Sequence, residues 1–289
     1  MTENKDNSFL TFAQKEGVAE IPDGTFRLKE LSPRTRSHLW MITNDLIGDN
    51  TSEYNFIRQP LTNLIGVWWV DRLHKPVDEL PNHRTKLSEL LKSLVLKGTY
   101  VDVLEFIECL LRHDRGGAVL GRFAARVRAA LEQTNCGYRL LMQPLPQIIQ
   151  ASTTEEAATL TQAISDTASD PLKGAQQHLV KAAETLRDGD YAGSVRESIH
   201  AVESVCKVIS GDQKADLRKA LEQLDKKSRI HPAFKEGLNK LYAFTSDEKG
   251  VRHASLGDSD VTHEDAQFMI GACAAFVSFL LHKNRRGST

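Results

Sequence analysis

Helix-start signals recur through the second half of this chain, and they leave it little alternative to a helical bundle. Asp170 precedes Pro171, Asp190 and Asp212 each precede an apolar-periodic run, Pro232 opens another, and Thr262 stands three residues before Asp265. A short polar side chain at such a position accepts the orphan N–H groups of a first helical turn. Proline suits that turn because it has no N–H, and Thr with a carboxylate three residues on is a reciprocal capping box. The expected helices run over 171–189, 190–210, 212 to about 228, from 232, and from 262 to about 283. Helices joined this closely bury their apolar faces against one another.

The first half also reads as helical. Ser32 with Pro33 starts a helix carrying Leu39, Trp40, Ile42, Leu46 and Ile47, which Gly48 is expected to stop. Helical spacing returns over 55–74, with Trp68 and Trp69 expected in a core, and over 82–97, where Gly98 closes the run. Val103, Leu104, Phe106, Ile107, Leu110 and Leu111 define a fourth helix, and 119–134 a fifth. Residues 137–142 and 144–149, set around prolines, predict a small two-stranded ribbon, and 25–31 a short strand after the Pro22-Asp23-Gly24 turn. The Thr- and Ala-rich stretch 151–170 predicts a helix and the joint between domains. The expected fold is therefore mainly α, with an N-terminal helical domain bearing a minor β element over 1–150 and a helical bundle over 171–289.

Composition narrows the function classes. Hydrophobic residues at 40% and charged residues at 26% belong to a globular chain rather than a disordered or membrane one. A formal net charge of -1 gives no overall attraction to nucleic acid or anionic lipid, so any such affinity must be local. Cys109, Cys136, Cys206 and Cys273 are far apart and form no CxxC pair, and three of them lie in apolar helical patterns. With no cationic region and apolar run in MTENKDNSFLTF, no signal peptide is expected, and a cytoplasmic location is. The run AQFMIGACAAFVSFLL falls short of the roughly 20 apolar residues a span needs, so a buried core helix is expected and no membrane partner. No Walker-type glycine loop or GxSxG elbow is present, and His263-Glu264 lacks a second histidine. Neither a cofactor nor a metal is expected.

Three places could carry chemistry. Residues 241–257, LYAFTSDEKGVRHASLG, predict a polar loop between two helices that holds Arg252 and His253. An imidazole titrating near neutrality can act as acid or base while a guanidinium holds a phosphate. The plainer alternative is that His253 satisfies the turn after Gly250 and Arg252 pairs with Asp247, Glu248 or Asp258. On the helix from 190, Val195, Ile199, Val202, Cys206 and Ile209 form a core stripe, and Arg196, His200, Glu203 and Lys207 repeat the same steps one position on. That second stripe is either a solvated flank or a charged seam facing the Arg252-His253 loop. Arg112, Arg115, Arg122, Arg126 and Arg128 cluster further upstream, as a solvated basic face or as a track for an RNA backbone.

The run DYAGSVRESIHAVESVCKVISG, then LNKLYAFTSDEKGVRHAS and EDAQFMIGACAAFVSFLL, resembles the C-terminal half of AbiJ-type abortive-infection proteins, a branch of the HEPN helical domains. RTRSHLW, WVDRLHKPVDELP and ALEQTNCGYRL resemble that group's N-terminal domain, so the likeness covers nearly all of the chain. HEPN ribonucleases use an Arg followed, after four to six intervening residues, by a His, with two copies facing each other across a dimer. The resemblance thus implies a homodimer and metal-independent RNA cleavage, with His253 at the motif's histidine. The sequence departs from the motif at the arginine: Ser246, Asp247 and Glu248 stand at the matching positions, Arg252 is adjacent to the histidine, and Lys249 is the nearest upstream cation.

The expected function is an abortive-infection protein acting on or binding RNA, with His253 as acid or base, Arg252 on the phosphate and Glu203 orienting them. Arg196, His200 and Lys249 are expected in support. The alternative is a non-catalytic helical module that binds a nucleotide, a nucleic acid or a partner protein.

Overall fold

The structure, a computed structural model, describes residues 28–114, 119–151, 153–212, 214, 217–227, 230–247 and 261–286. The chain divides into two compact units, Met1–Leu140 with Leu145–Thr153, and Leu141–Pro144 with Thr154–Thr289. As the sequence predicts, it is mainly α.

The first unit holds α1 (Pro33–Asp49), α2 (Gln59–Asp71), α3 (Arg84–Lys97), α4 (Tyr100–His113) and α5 (Gly121–Gln133), followed by the strands β1 (Tyr138–Leu141) and β2 (Gln147–Gln150). The Ser32 hydroxyl accepts the Thr35 N–H at 3.1 Å and sets the start of α1. Thr99 and Asp102 form a capping box, so α4 begins a turn before its first core residue. The helix α1 packs on α3 and α5, and α2 on α4. Leu39, Leu61, Leu91, Phe106 and Leu110 are buried where these faces meet, and Trp68 meets the Phe106 ring edge-on at 4.8 Å.

The two strands pair as the expected ribbon, with all of their residues buried. Such a ribbon can sit in an apolar core only if its polar groups find partners. Glu108 on α4 supplies one: its carboxylate accepts the Ile148 N–H at 2.7 Å and the Arg112 guanidinium at 2.8 Å. Arg139, itself buried, donates to the Cys136 and Tyr138 carbonyls at 2.5 and 2.8 Å. The strand expected over 25–31 is absent from its described part, residues 28–31; residues 25–27 lie outside the described residues.

The second unit consists of α6 (Thr154–Asp166), α7 (Lys173–Asp188), α8 (Tyr191–Ser210), α9 (Leu217–Lys227), α10 (Pro232–Asp247) and α11 (His263–Arg286). Around α8 pack α7, α9, α10 and α11. The expected stripe Val195, Ile199, Val202, Cys206 and Ile209 is buried, and Ser194, Ser198, Ala201 and Val205 widen it. Small residues on that face let the chain of α7 come near, and the Ser194 hydroxyl donates to the Ala182 carbonyl at 2.9 Å.

The α7–α8 turn explains itself locally. Gly189 takes a left-handed φ of 85°, and the Asp190 carboxylate then accepts the Gly193 N–H at 2.8 Å. A Cβ at Gly193 would lie 2.0 Å from Asp190 Oδ2, so a larger residue there must displace the capping carboxylate.

Several expectations are corrected in this unit. Asp170 does not cap α7: Asp170–Leu172 form a 3-10 turn, and the Asp170 carboxylate pairs with Lys173. Asp212 instead accepts the Lys214 N–H at 2.8 Å in a local turn, and α9 starts only at Leu217. The helix expected within 151–170 is present as α6, which packs against α7 and α11 inside the second unit, because Ala157, Leu160, Ala163 and Ile164 are an apolar face that needs covering. Residues 241–247, read as loop, are the last turns of α10.

The capping box at Thr262 is present, with Asp265 accepting the Thr262 N–H at 3.0 Å. Among the described residues, His263–Arg285 is the one stretch long and apolar enough to cross a membrane. Half of its most apolar stretch is buried, and it packs on α6, α7 and α8, which is what the core-helix reading expects.

Candidate functional site

The charged stripe on α8 is half-buried along its whole length: Arg196, His200, Glu203 and Lys207 are neither core nor fully exposed. Their place follows from the helix period. Positions one residue beyond the core stripe lie about 100° around the helix, at the edge where neighbouring helices meet it.

At Glu203 the neighbour is α10, whose Tyr242 hydroxyl donates to Glu203 Oε1 at 2.6 Å. A phenol bonded to a carboxylate at that distance is a charge-assisted contact, and it ties α8 to the helix that ends at Asp247. Arg252, His253 and Lys249 lie between that helix end and the capped start of α11, outside the described residues. Gly237, Lys240 and Leu241 of α10 with Asp265, Phe268 and Met269 of α11 line a groove of about 430 Å³. Its floor is apolar, with Phe268 exposed, and Lys240 and Asp265 supply the charges. Hydrogen bonds from the Thr262 N–H and hydroxyl hold the Asp265 carboxyl below the usual range.

One turn before Glu203, the stripe meets α7. His178 Nδ1 lies 2.6 Å from Glu197 Oε2, and the His178 and His200 rings meet edge-on at 5.2 Å. Burial holds the His200 imidazole below its ordinary value of 6.5; Glu203 and Glu197 act in the opposite direction, and His178 and Arg196 reinforce it. The donor atoms of His178, Glu197 and His200 all lie within 4.8 Å of one another. No metal is expected from the sequence, and neither His178 nor Glu197 is among its candidate site residues. Two signals were available. Glu197 and His200 stand three residues apart, and His178 and His200 are equidistant from Gly189, where an antiparallel hairpin turns.

The arginine cluster is placed differently from the α8 stripe, on the first unit. Arg112 bonds Glu108 and donates to the Pro146 carbonyl at 2.8 Å, so it is part of the ribbon's support. Arg126 pairs with Asp45 at 2.7 Å, and Arg122 approaches Asp49 at 3.8 Å, both on α1. Acids are therefore interleaved with the basic face. Arg115 lies outside the described residues.

Residues 173–284, which cover α7 to α11, match the HEPN-like domain family. Residues 10–166 match AbiJ N-terminal domain 4, more than half of the chain. The chain belongs to the AbiJ family, joining this N-terminal domain to a HEPN-like domain, and is an abortive-infection-type protein. No curated protein and no solved structure matches it. The N-terminal match extends through α6, although that helix packs within the second unit.

Proposed function

We propose that this AbiJ-type protein is a cytoplasmic effector of abortive infection that acts on RNA through its HEPN-like domain, working as a homodimer. The Glu203–Tyr242 bond carries the reading. It gives the α8 stripe a charged contact with α10, the helix from which the segment bearing Arg252 and His253 departs. In this reading Glu203 acts as a positioning residue, through its bond to Tyr242 on the helix that leads into that segment.

In the reaction, His253 takes the proton of a ribose 2′-hydroxyl, and the freed oxygen attacks the adjacent phosphorus. The bond to the 5′-oxygen breaks, that oxygen leaves with a proton, and a cyclic phosphate remains. Arg252 stabilises the charge on the phosphate oxygens during transfer. No metal takes part.

A second reading rests on its own observation: carboxylates Asp247 and Glu248 stand where the motif's arginine belongs. They repel a phosphate, which favours a module that binds RNA, a nucleotide or a partner without cutting. One experiment separates the two. The purified protein and His253→Ala are incubated with total RNA in EDTA, and the fragments are examined for cyclic phosphate ends. Cleavage by the wild type alone is expected. RNA retained intact by the wild type would replace the nuclease with the binding module. Cleavage by both proteins would remove His253 from the reaction.

A further inference from the structure

Three potential metal ligands converge on the α7–α8 hairpin. Glu197 and His200 are one turn apart on α8, and His178 reaches them from α7. We propose that His178, Glu197 and His200 form a binding site for one first-row divalent cation, with Zn²⁺ the ion their donor set fits best.

The geometry is close to what a bound ion requires. Ligand atoms around a tetrahedral Zn²⁺, with bonds of about 2.0–2.1 Å, stand roughly 3.3 Å apart. The three donors here lie within 4.8 Å of one another. Small side-chain rotations on two facing helices close that difference without moving the backbone. A carboxylate and a histidine three residues apart on one helix, completed from a neighbouring helix, is also how bundles hold metals in their interiors.

The donor chemistry selects the ion. Two imidazoles and a carboxylate suit Zn²⁺ and its first-row neighbours, whereas Mg²⁺ and Ca²⁺ prefer an all-oxygen shell. Three protein ligands leave one position for water. Access is adequate, since the His178 and Glu197 side chains keep 35% and 24% of their exposure. The hydrogen bond between His178 Nδ1 and Glu197 Oε2 at 2.6 Å marks where the ion enters. The cation takes the bridging proton's place at Nδ1, and the neutral imidazole then carries its proton on Nε2.

Such an ion cross-links α7 to α8 one turn before Glu203. It therefore stiffens the central hairpin of the HEPN-like unit and leaves the cleavage chemistry to other residues.

The test uses the full chain, stripped with a chelator and desalted. Zn²⁺ is titrated calorimetrically and Co²⁺ is followed by its visible absorption. One ion per chain is expected, with Co²⁺ bands of a four- or five-coordinate site and a higher melting temperature on adding Zn²⁺. His178→Ala and His200→Ala should abolish binding, Glu197→Gln should weaken it, and His74→Ala, an exposed residue of the first unit, should leave it unchanged. Metal-free melting curves establish that each variant is folded. If Glu197→Gln alone folds, its loss of affinity and altered Co²⁺ spectrum decide the question. The proposal is overturned if the wild type binds neither ion, or if folded variants of the trio keep the affinity of the wild type, because one of the other histidines would then be the ligand.

Discussion

Removing the Tyr242 hydroxyl is the most direct probe of how α10 is held to α8. Tyr242→Phe deletes a donor that lies 2.6 Å from Glu203 Oε1, with both residues half-buried. Hydrogen bonds to charged groups contribute about 1.5–3 kcal/mol when well shielded. Water reaches this pair and replaces part of the loss, which brings the expected cost to about 1 kcal/mol. In a chain of this size that lowers the melting temperature by about 2–4 °C.

The measurement is urea unfolding by far-UV circular dichroism. Tryptophan fluorescence serves as a separate reporter, because Trp40, Trp68 and Trp69 all belong to the first unit. Glu203→Met keeps the side-chain length and removes the acceptor, so the two changes close a double-mutant cycle. The expected coupling is about 0.5–1 kcal/mol. A coupling below about 0.3 kcal/mol would refute the claim that this bond fastens α10 to the stripe, and with it the main support for Glu203 as a positioning residue.

Three further outcomes are expected. Gly193→Ala should destabilise by about 1–2 kcal/mol, because the new Cβ collides with the Asp190 carboxylate and expels the cap; urea unfolding that matches the wild type would show the turn can relax. Glu108→Ala should cost about 3 kcal/mol in fluorescence-monitored unfolding, since it strands the buried Ile148 N–H and the Arg112 guanidinium, whereas Arg122→Ala, at an exposed 3.8 Å contact, should stay within about 0.5 kcal/mol. Stability should fall as the pH drops below about 6.5. There the unfolded chain protonates His200 while burial resists protonation in the folded one; above 6.5 both are neutral and the contribution is flat. His200→Gln should flatten that acid slope in urea midpoints, and an unchanged slope would assign it to other groups.

What could be read from the chain alone was what local physics decides. Ser32 with Pro33, Thr262 with Asp265, and Gly189 before Asp190 set helix ends within a few residues of themselves, and the structure has all three. The period of Val195, Ile199, Val202, Cys206 and Ile209 made α8 a core helix before any neighbour was known, because a 3.6-residue repeat of apolar side chains has one buried solution. The same reasoning failed where a polar residue had two local uses. Asp170 has the composition of a cap, yet Lys173 one turn on takes its carboxylate. Residues 241–247 look like a loop by polarity, yet α10 continues through them.

Partner identity was another matter, because it depends on which helices pack together and in what register. Glu108 meets Ile148 forty positions along the chain, Tyr242 meets Glu203 across a similar gap, and Arg126 finds Asp45 on the far side of its unit's sequence. Nothing in those residues names the other. The α8 stripe illustrates the division: its charge pattern was legible as a helix edge, but that His178 joins Glu197 and His200 while Tyr242 joins Glu203 is a consequence of α7 and α10 lying against opposite ends of that edge. Helical periodicity fixes the direction a side chain points from its own axis, and only the packing of the neighbouring helices determines what it meets there.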